Sequence, residues 1–249
     1  MEEAKHRIRN AQRVIVYTGA GMSVDSNIAP FRKKGGLWNG IFGSIILPFF
    51  GTTFGWKYFP EFCWKKYLSH FLKPILLAKP HEGYEVLSLF ESEKPMIIIT
   101  TNVDGLHKRS GSSHVIELHG SVMRNMCNSV GNSCSRKLIP FSNSSCPDCG
   151  SFPRPDVVLF GETLQSEKLD ECEDLIVSMN ENDVFLQIGS SGVVNPSRQI
   201  CEYIVYKTNT FTIEINKNKS PVSNDVDVYL EGSAKTILQE LFSQYKKTL

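Results

Sequence analysis

MIIITTNVDGLH, residues 96–107, is the stretch on which the fold turns. Met96-Ile97-Ile98-Ile99-Thr100 is a short, β-branched apolar run of the kind that forms a strand buried on both faces. Directly behind it come an amide, a carboxylate and an imidazole: Asn102, Asp104 and His107. Open α/β sheets bind their ligands outside the carboxyl ends of the strands, so this polar tip points to a ligand site.

Working outward, comparable apolar runs recur at 13–17, 115–118, 157–160, 184–188 and 211–215. Helical periodicities fall between or after them, at 80–90, 166–179, 196–206 and 234–245. The alternation predicts an α/β protein with a Rossmann-like parallel sheet and helices on both faces. Two stretches interrupt it. Residues 33–80 are rich in Gly, Phe and Trp, and residues 121–156 are polar and hold four cysteines. We therefore assign 1–32, 81–120 and 157–249 to the large domain. A smaller domain takes 33–80, a loop with a helical insertion, and 121–156, a cysteine-bearing module.

The composition, 41% apolar and 21% charged in 249 residues, is that of an ordinary globular protein. A net charge of +1 gives no bulk attraction to nucleic acid or an anionic membrane. The opening MEEAKHRIRN has neither the apolar core of a secretory signal nor the pattern of a transit peptide. The longest apolar stretch, residues 45–50, is too short to span a bilayer. Seven cysteines without a signal suit a reducing compartment, where paired cysteines point to metal more than to disulfide. The expectation is an intracellular, cytoplasmic monomer with no direct nucleic-acid or membrane partner.

Three stretches carry chemistry. Gly19-Ala20-Gly21 follows the first strand, where glycines let a backbone approach a pyrophosphate. The third glycine of the dinucleotide fingerprint is missing, and a plain tight turn uses glycine too. Cys127, Cys134, Cys146 and Cys149 form two pairs; the CPDCG knuckle at 146–150 places two thiolates on one tetrahedral zinc. The bland reading is four ordinary cysteines, as Cys63, Cys172 and Cys201 are expected to be. His119, in ELHGS at 117–121, ends another strand at the same edge as TNVDGLH. A neutral imidazole there can accept a proton, although a lone histidine more often packs a core. His107 is read as packing its loop.

In chain order GAGMSVDSNIAPFR (19–32), GGLW (35–38), TNVDGLH, ELHGS, the cysteine pairs, RPDVVLFGE (154–162), IGSSGVVNPS (188–197) and EIN (214–216) resemble the sirtuin family, NAD-dependent protein lysine deacylases. The resemblance implies a cleft between a Rossmann-like NAD-binding domain and a small domain with one structural zinc. It implies that an acyl-lysine carbonyl attacks C1′ of the nicotinamide ribose, that nicotinamide leaves, and that the acyl group ends on ADP-ribose. His119 would be the base, Asp104 would hold the nicotinamide amide, and Asn102 would contact the ribose and a water. Gly19, Ala20 and Gly21 would face the pyrophosphate, with Arg32 and Trp38 on a closing loop. Gly189, Ser190, Ser191 and Asn216 would line the adenosine half, and Ser23, Thr101, Val103 and Ala234 complete the cofactor set. Val157, Val158, Leu159, Phe160 and Gly161 would pair with the backbone of an acylated-lysine protein or peptide.

The sequence departs from the family at Thr101, where a glutamine is usual, at Pro30 in the closing loop, and at Asn195, where a tyrosine is common. GGLW is nearest to the desuccinylase and demalonylase branch, which clamps an acyl carboxylate with Tyr-x-x-Arg. Here the tyrosine is Tyr67, but the arginine position holds His70. Histidine is mostly neutral near pH 7.5, so the clamp is weakened. Acetyl, succinyl or malonyl, and longer apolar acyl groups stay open. Thr101 also leaves room for an NAD glycohydrolase or ADP-ribosyltransferase as the alternative activity.

Overall fold

The computed structural model describes residues 1–29, 51–129, 134, 137–139, 145–193 and 195–245. Six strands form one parallel sheet in the order β3-β2-β1-β7-β8-β9. They are β1 (Arg13–Thr18), β2 (Met96–Thr100), β3 (Val115–Glu117), β7 (Asp183–Ile188), β8 (Phe211–Asn216) and β9 (Val228–Glu231). Alternation along β1 sorts the core into two layers. Val14 and Val16 face the helices Glu2–Asn10, Glu82–Glu91 and Ala234–Leu241 through Ile8, Leu87, Phe90 and Leu238. Ile15 and Tyr17 face Ser166–Val177 and Ser197–Lys207 through Cys172, Ile176, Cys201 and Ile204. Cys172 and Cys201 are thus core residues. Each fully buried aliphatic or aromatic side chain stabilises the fold by about 1.5–3 kcal/mol.

Register brings the strand tips into one line. Thr18 pairs with Thr100 and with Ile188, Thr100 with Glu117, and Ile188 with Ile215. The TNVD, ELHG and IGSS segments therefore leave the same edge of the sheet.

The cysteine-bearing stretch adds a three-stranded antiparallel sheet, ordered β5-β4-β6, from β4 (Gly120–Cys127), β5 (Leu138–Ile139) and β6 (Pro153–Val157). At its root Gly120 has φ +80°, and a Cβ there would stand 2.0 Å from the Asp156 carbonyl oxygen, so only glycine fits. Beside this sheet, helices Thr53–Tyr58, Pro60–Lys66 and Lys73–Leu77 carry the core of the small domain. Trp56, Trp64, Tyr67, Phe71, Leu72 and Ile75 pack there with Val122 and Leu159. A π-helical turn, Tyr67–Leu72, joins the last two helices immediately before Pro74, which has no N–H to give to the ladder.

One expected strand is misplaced. Of 157–160 only Val157 belongs to β6; the strand runs on its N-terminal side, through Arg154 and Asp156. Those charges obscured it, yet both are buried and paired: Arg154 with Glu162 at 2.6 Å, Asp156 with Arg124 at 2.9 Å. Beyond Val157 the N–H groups are spent internally, Val158 on the His119 carbonyl, Leu159 on Glu162 and Phe160 on the Gly51 carbonyl. A substrate strand could not use those donors as an open ladder.

Candidate functional site

The floor of the site is made of the tips of β1 and β2. Asn102 is buried, and both hydrogens of its carboxamide are committed, to the Gly19 carbonyl at 2.9 Å and to Ser23 Oγ at 3.1 Å. Its Oδ1 is what it has left to offer. The Ser23 hydroxyl donates to Asp104 Oδ2 at 2.6 Å and meets the Tyr84 hydroxyl at 2.9 Å. Asp104 Oδ1 accepts the Leu106 N–H at 2.9 Å. Burial raises the Asp104 carboxyl above its ordinary range, and these two bonds pull it back. The Val103 carbonyl is pinned by the Val122 N–H at 2.9 Å, which ties the floor to β4.

His119 lies between β3 and β4. Its Nδ1 is 3.1 Å from the Thr101 carbonyl oxygen, which can only accept, so Nδ1 carries the hydrogen and Nε2 is bare. Burial lowers its pKa, opposed by that bond, which leaves the ring neutral at pH 7. Thr101 Oγ1 bonds back to the Thr18 carbonyl at 3.3 Å. Behind His119, the buried Glu117 takes Lys108 at 2.9 Å and Arg124 at 2.7 Å, two partly exposed cations, and the Arg124 pair ties β3 to β4.

The glycine turn does more than bend. Gly19 and Gly21 lie against the turn after β7, and a Cβ on Gly21 would come within 2.6 Å of Gly189 Cα. Gly21 N–H bonds the Gly189 carbonyl at 2.8 Å. The two turns interlock, and the segment after the first is a 3-10 helix, Ala20–Ser26, rather than an α-helix. Next to them Asn216 Nδ2 donates to the Ser190 carbonyl at 2.7 Å. Ser191 is exposed, while Ala234 sits in the large-domain core at the start of its helix. Glu214, fully buried, accepts from Ser223 at 2.5 Å and Ser220 at 3.1 Å and holds that half of the edge together. Glu214 was given no role from sequence beyond its place in EIN, and Tyr84 was not singled out. The only signal was a polar group facing inward within an apolar pattern.

A cavity of about 160 Å³ opens above this floor, bounded by Ala20, Asn102 and Asp104 on one side and by Phe71, Pro74 and Ile75 on the other. His70 reaches its wall, with Nδ1 2.5 Å from Ser69 Oγ. Tyr67 does not. It is 2% exposed, wedged between Trp56, Trp64 and Phe71, and its hydroxyl has no partner among the described residues. Arg32 and Trp38, as well as Pro30, lie outside the described residues.

The four predicted metal-ligating cysteines converge. The sulfurs of Cys127, Cys146 and Cys149 lie within 4.8 Å of one another, and Cys134 within the same distance of Cys146. Cys127 and Cys149 Sγ are 3.5 Å apart. Sulfurs on one tetrahedral zinc, with bonds of about 2.3 Å, lie about 3.8 Å apart, so the set fits a structural zinc with no open position.

A model of the Sir2 family matches residues 19–196. An NAD-dependent protein deacylase of Pyrococcus furiosus is 36% identical, over 98% of each chain. A crystal structure of a Sir2 homolog–NAD complex aligns with a TM-score of 0.82 at 31% identity, covering 98% of this chain and 93% of that one. A Sir2–p53 peptide–NAD+ structure aligns with a TM-score of 0.79 at 25% identity, covering 98% of both. No helix among the described residues is long and apolar enough to cross a membrane.

Proposed function

The chain belongs to the Sir2 family, and from that premise we propose that it is an NAD-dependent protein lysine deacylase. The observation that carries the reading is the pairing of a floor held in place by specific hydrogen bonds with one uncommitted base. Asn102 and Asp104 are held in place, and His119 presents a bare Nε2 at the same edge. Bound NAD supplies a ribosyl carbon that an acyl-lysine oxygen can attack, and the ADP-ribose that accepts the acyl group.

Each residue has a task in this reading. Gly19, Ala20 and Gly21 offer a backbone surface close enough for a pyrophosphate, and Gly189, Ser190 and Asn216 continue it toward the adenosine. Asp104 receives the nicotinamide amide, its second oxygen being fixed by Leu106. Asn102 Oδ1 accepts from the ribose or a water. His119 Nε2 takes the proton of a ribose hydroxyl, a step worth about 10²–10⁴-fold. The substrate is an acylated-lysine protein; Gly161 and the carbonyls of 157–160 supply what backbone contact remains there. A zinc held by Cys127, Cys134, Cys146 and Cys149 would brace the small sheet and take no part in the reaction.

The cavity favours a neutral acyl group over succinyl or malonyl. Among the described residues no Lys or Arg lines it, and Tyr67 is turned into the core. The test incubates purified protein with NAD and matched acetyl-, succinyl- and myristoyl-lysine peptides, following each by mass. NAD-dependent loss of acetyl faster than succinyl is expected. Faster succinyl loss would refute the acyl preference. Nicotinamide release with every peptide unchanged would point to the glycohydrolase alternative.

A further inference from the structure

His107 has no task in the reaction just described, yet it is among the most enclosed polar groups of the chain, 3% exposed beneath the floor. Its Nε2 is 3.0 Å from Thr18 Oγ1. The Thr18 hydroxyl donates to Thr100 Oγ1 at 2.8 Å, so toward His107 it must accept, and Nε2 carries the imidazole hydrogen. Thr100 Oγ1 in turn accepts the Asn102 N–H at 3.0 Å. The bonds converge on Thr100 Oγ1: the ring donates to Thr18, Thr18 donates to Thr100, and the backbone N–H of Asn102, the second residue of TNVD, donates to Thr100 from the other side. Thr18 and Thr100 are also cross-strand partners at the tips of β1 and β2.

The other nitrogen, Nδ1, has no partner among the described residues. The edge of the ring lies against Tyr84, with centroids 4.7 Å apart, and Tyr84 bonds Ser23. A residue kept only for packing would be better served by leucine, which leaves no buried acceptor unsatisfied. What histidine adds over leucine here is the Nε2–H donor.

We propose that His107 is a positioning residue for the reaction: through Thr18 and Thr100 it fixes where Asn102 stands relative to Gly19 and Asp104. The proposal rests on the deacylase reading for its kinetic test, but its hydrogen-bond direction does not. Without the donor, Thr18 turns its hydrogen elsewhere, Thr100 loses its orientation, and the TNVD backbone is free to shift by a fraction of an ångström. Such displacements at a reacting centre cost up to about a hundredfold in rate.

The experiment compares wild type, His107→Leu, His107→Gln, Thr18→Val and Thr18→Ser with NAD and the acyl peptide that wild type turns over. His107→Leu and Thr18→Val should each lower kcat by about ten- to a hundredfold with peptide KM within about twofold. His107→Gln, which keeps an N–H at similar reach, and Thr18→Ser, which keeps the hydroxyl, should recover to within about threefold of wild type. The double variant His107→Leu with Thr18→Val should be no slower than the slower single, because both cut one chain. Equal loss in His107→Gln and His107→Leu, full kcat in His107→Leu, or multiplied losses in the double variant would overturn the proposal. If His107→Leu does not fold, the Thr18 pair decides alone. Should wild type process no acyl peptide, the deacylase reading fails, and ¹⁵N spectra of the imidazole then test the relay directly. A hydrogen on Nε2 supports it, and one on Nδ1 overturns it.

Discussion

The floor and the helical wall of the cavity are built on opposite principles. On the floor, from Thr18 to Ser23 and from Thr100 to His107, Asn102, Asp104, Ser23 and both threonines are bonded to specific neighbours, and the chain between them follows from strand register. In the wall, residues 53–77, the order comes from aromatic contact: Trp56 edge-on to Trp64 at 5.3 Å, and Tyr67 edge-on to both. Hydrogen-bonded geometry is narrow in distance and direction, whereas apolar packing tolerates changes of similar volume. The floor is thus suited to holding one cofactor in one pose. The wall is the part that can drift with acyl group.

The sharpest way to break that comparison is to remove the base and leave both regions standing. His119→Ala should lower kcat/KM by about 10²–10⁴-fold, with an unchanged melting temperature, as read by peptide mass and by calorimetry. A comparable drop in stability would show that His119 holds the floor together.

Metal removal separates the regions. The wall leans on the cysteine-bearing sheet through Trp64 Nε1 to the Pro153 carbonyl at 2.6 Å and Asn128 Nδ2 to the Trp56 carbonyl at 2.7 Å. Structural zinc contributes on the order of 10 kcal/mol in small modules. Chelation at neutral pH should expose Trp56 and Trp64, shifting fluorescence to the red, before the circular dichroism of the large-domain helices changes. Simultaneous loss of both signals would mean that floor and wall form one cooperative unit.

Acid should act on the floor. Burial pushes His107 down to about 3, from an ordinary value near 6.5, so the unfolded chain binds this proton first. Stability is therefore fully present above pH 6.5 and falls by up to about 1.4 kcal/mol per pH unit from this group as pH drops toward 3. Urea titrations of wild type and His107→Gln between pH 7 and 4.5 should diverge in that direction. Parallel curves would remove His107 from the acid response.

The smallest effect belongs to the wall. Tyr67→Phe deletes a buried hydroxyl that has no partner among the described residues and should raise stability by about 1 kcal/mol, measured by urea unfolding. It should leave the ratio of acetyl to succinyl turnover as it is. A fall in succinyl turnover alone would show that the hydroxyl does reach an acyl carboxylate.

The same contrast explains what could be read from the chain alone. β2 was legible to the residue because an all-apolar run followed by TNVD has one sensible placement in a parallel sheet. Cys146 and Cys149 were legible because a CxxC knuckle states its own geometry, and the looser Cys127 and Cys134 joined them through β4. β6 was not legible, since Arg154 and Asp156 interrupt its apolar pattern, and their pairing with Glu162 and Arg124 is visible in three dimensions and not in the pattern. Tyr67 looked like a ligand-facing group because it stands where the desuccinylase-like branch has the tyrosine of its Tyr-x-x-Arg clamp. A π-helical turn and three aromatic neighbours place it in the core instead. Tyr84 and Thr18 escaped notice because a hydroxyl inside an apolar face signals nothing until its partner is known.

The measurement that bears most directly on the central claim is turnover of an acetyl-lysine peptide by the purified protein with and without NAD, with the peptide, nicotinamide and acylated ADP-ribose quantified together. The account predicts one nicotinamide and one acyl-ADP-ribose for each lysine freed, and nothing without NAD. Nicotinamide released in excess of freed lysine, or lysine freed without NAD, would contradict it.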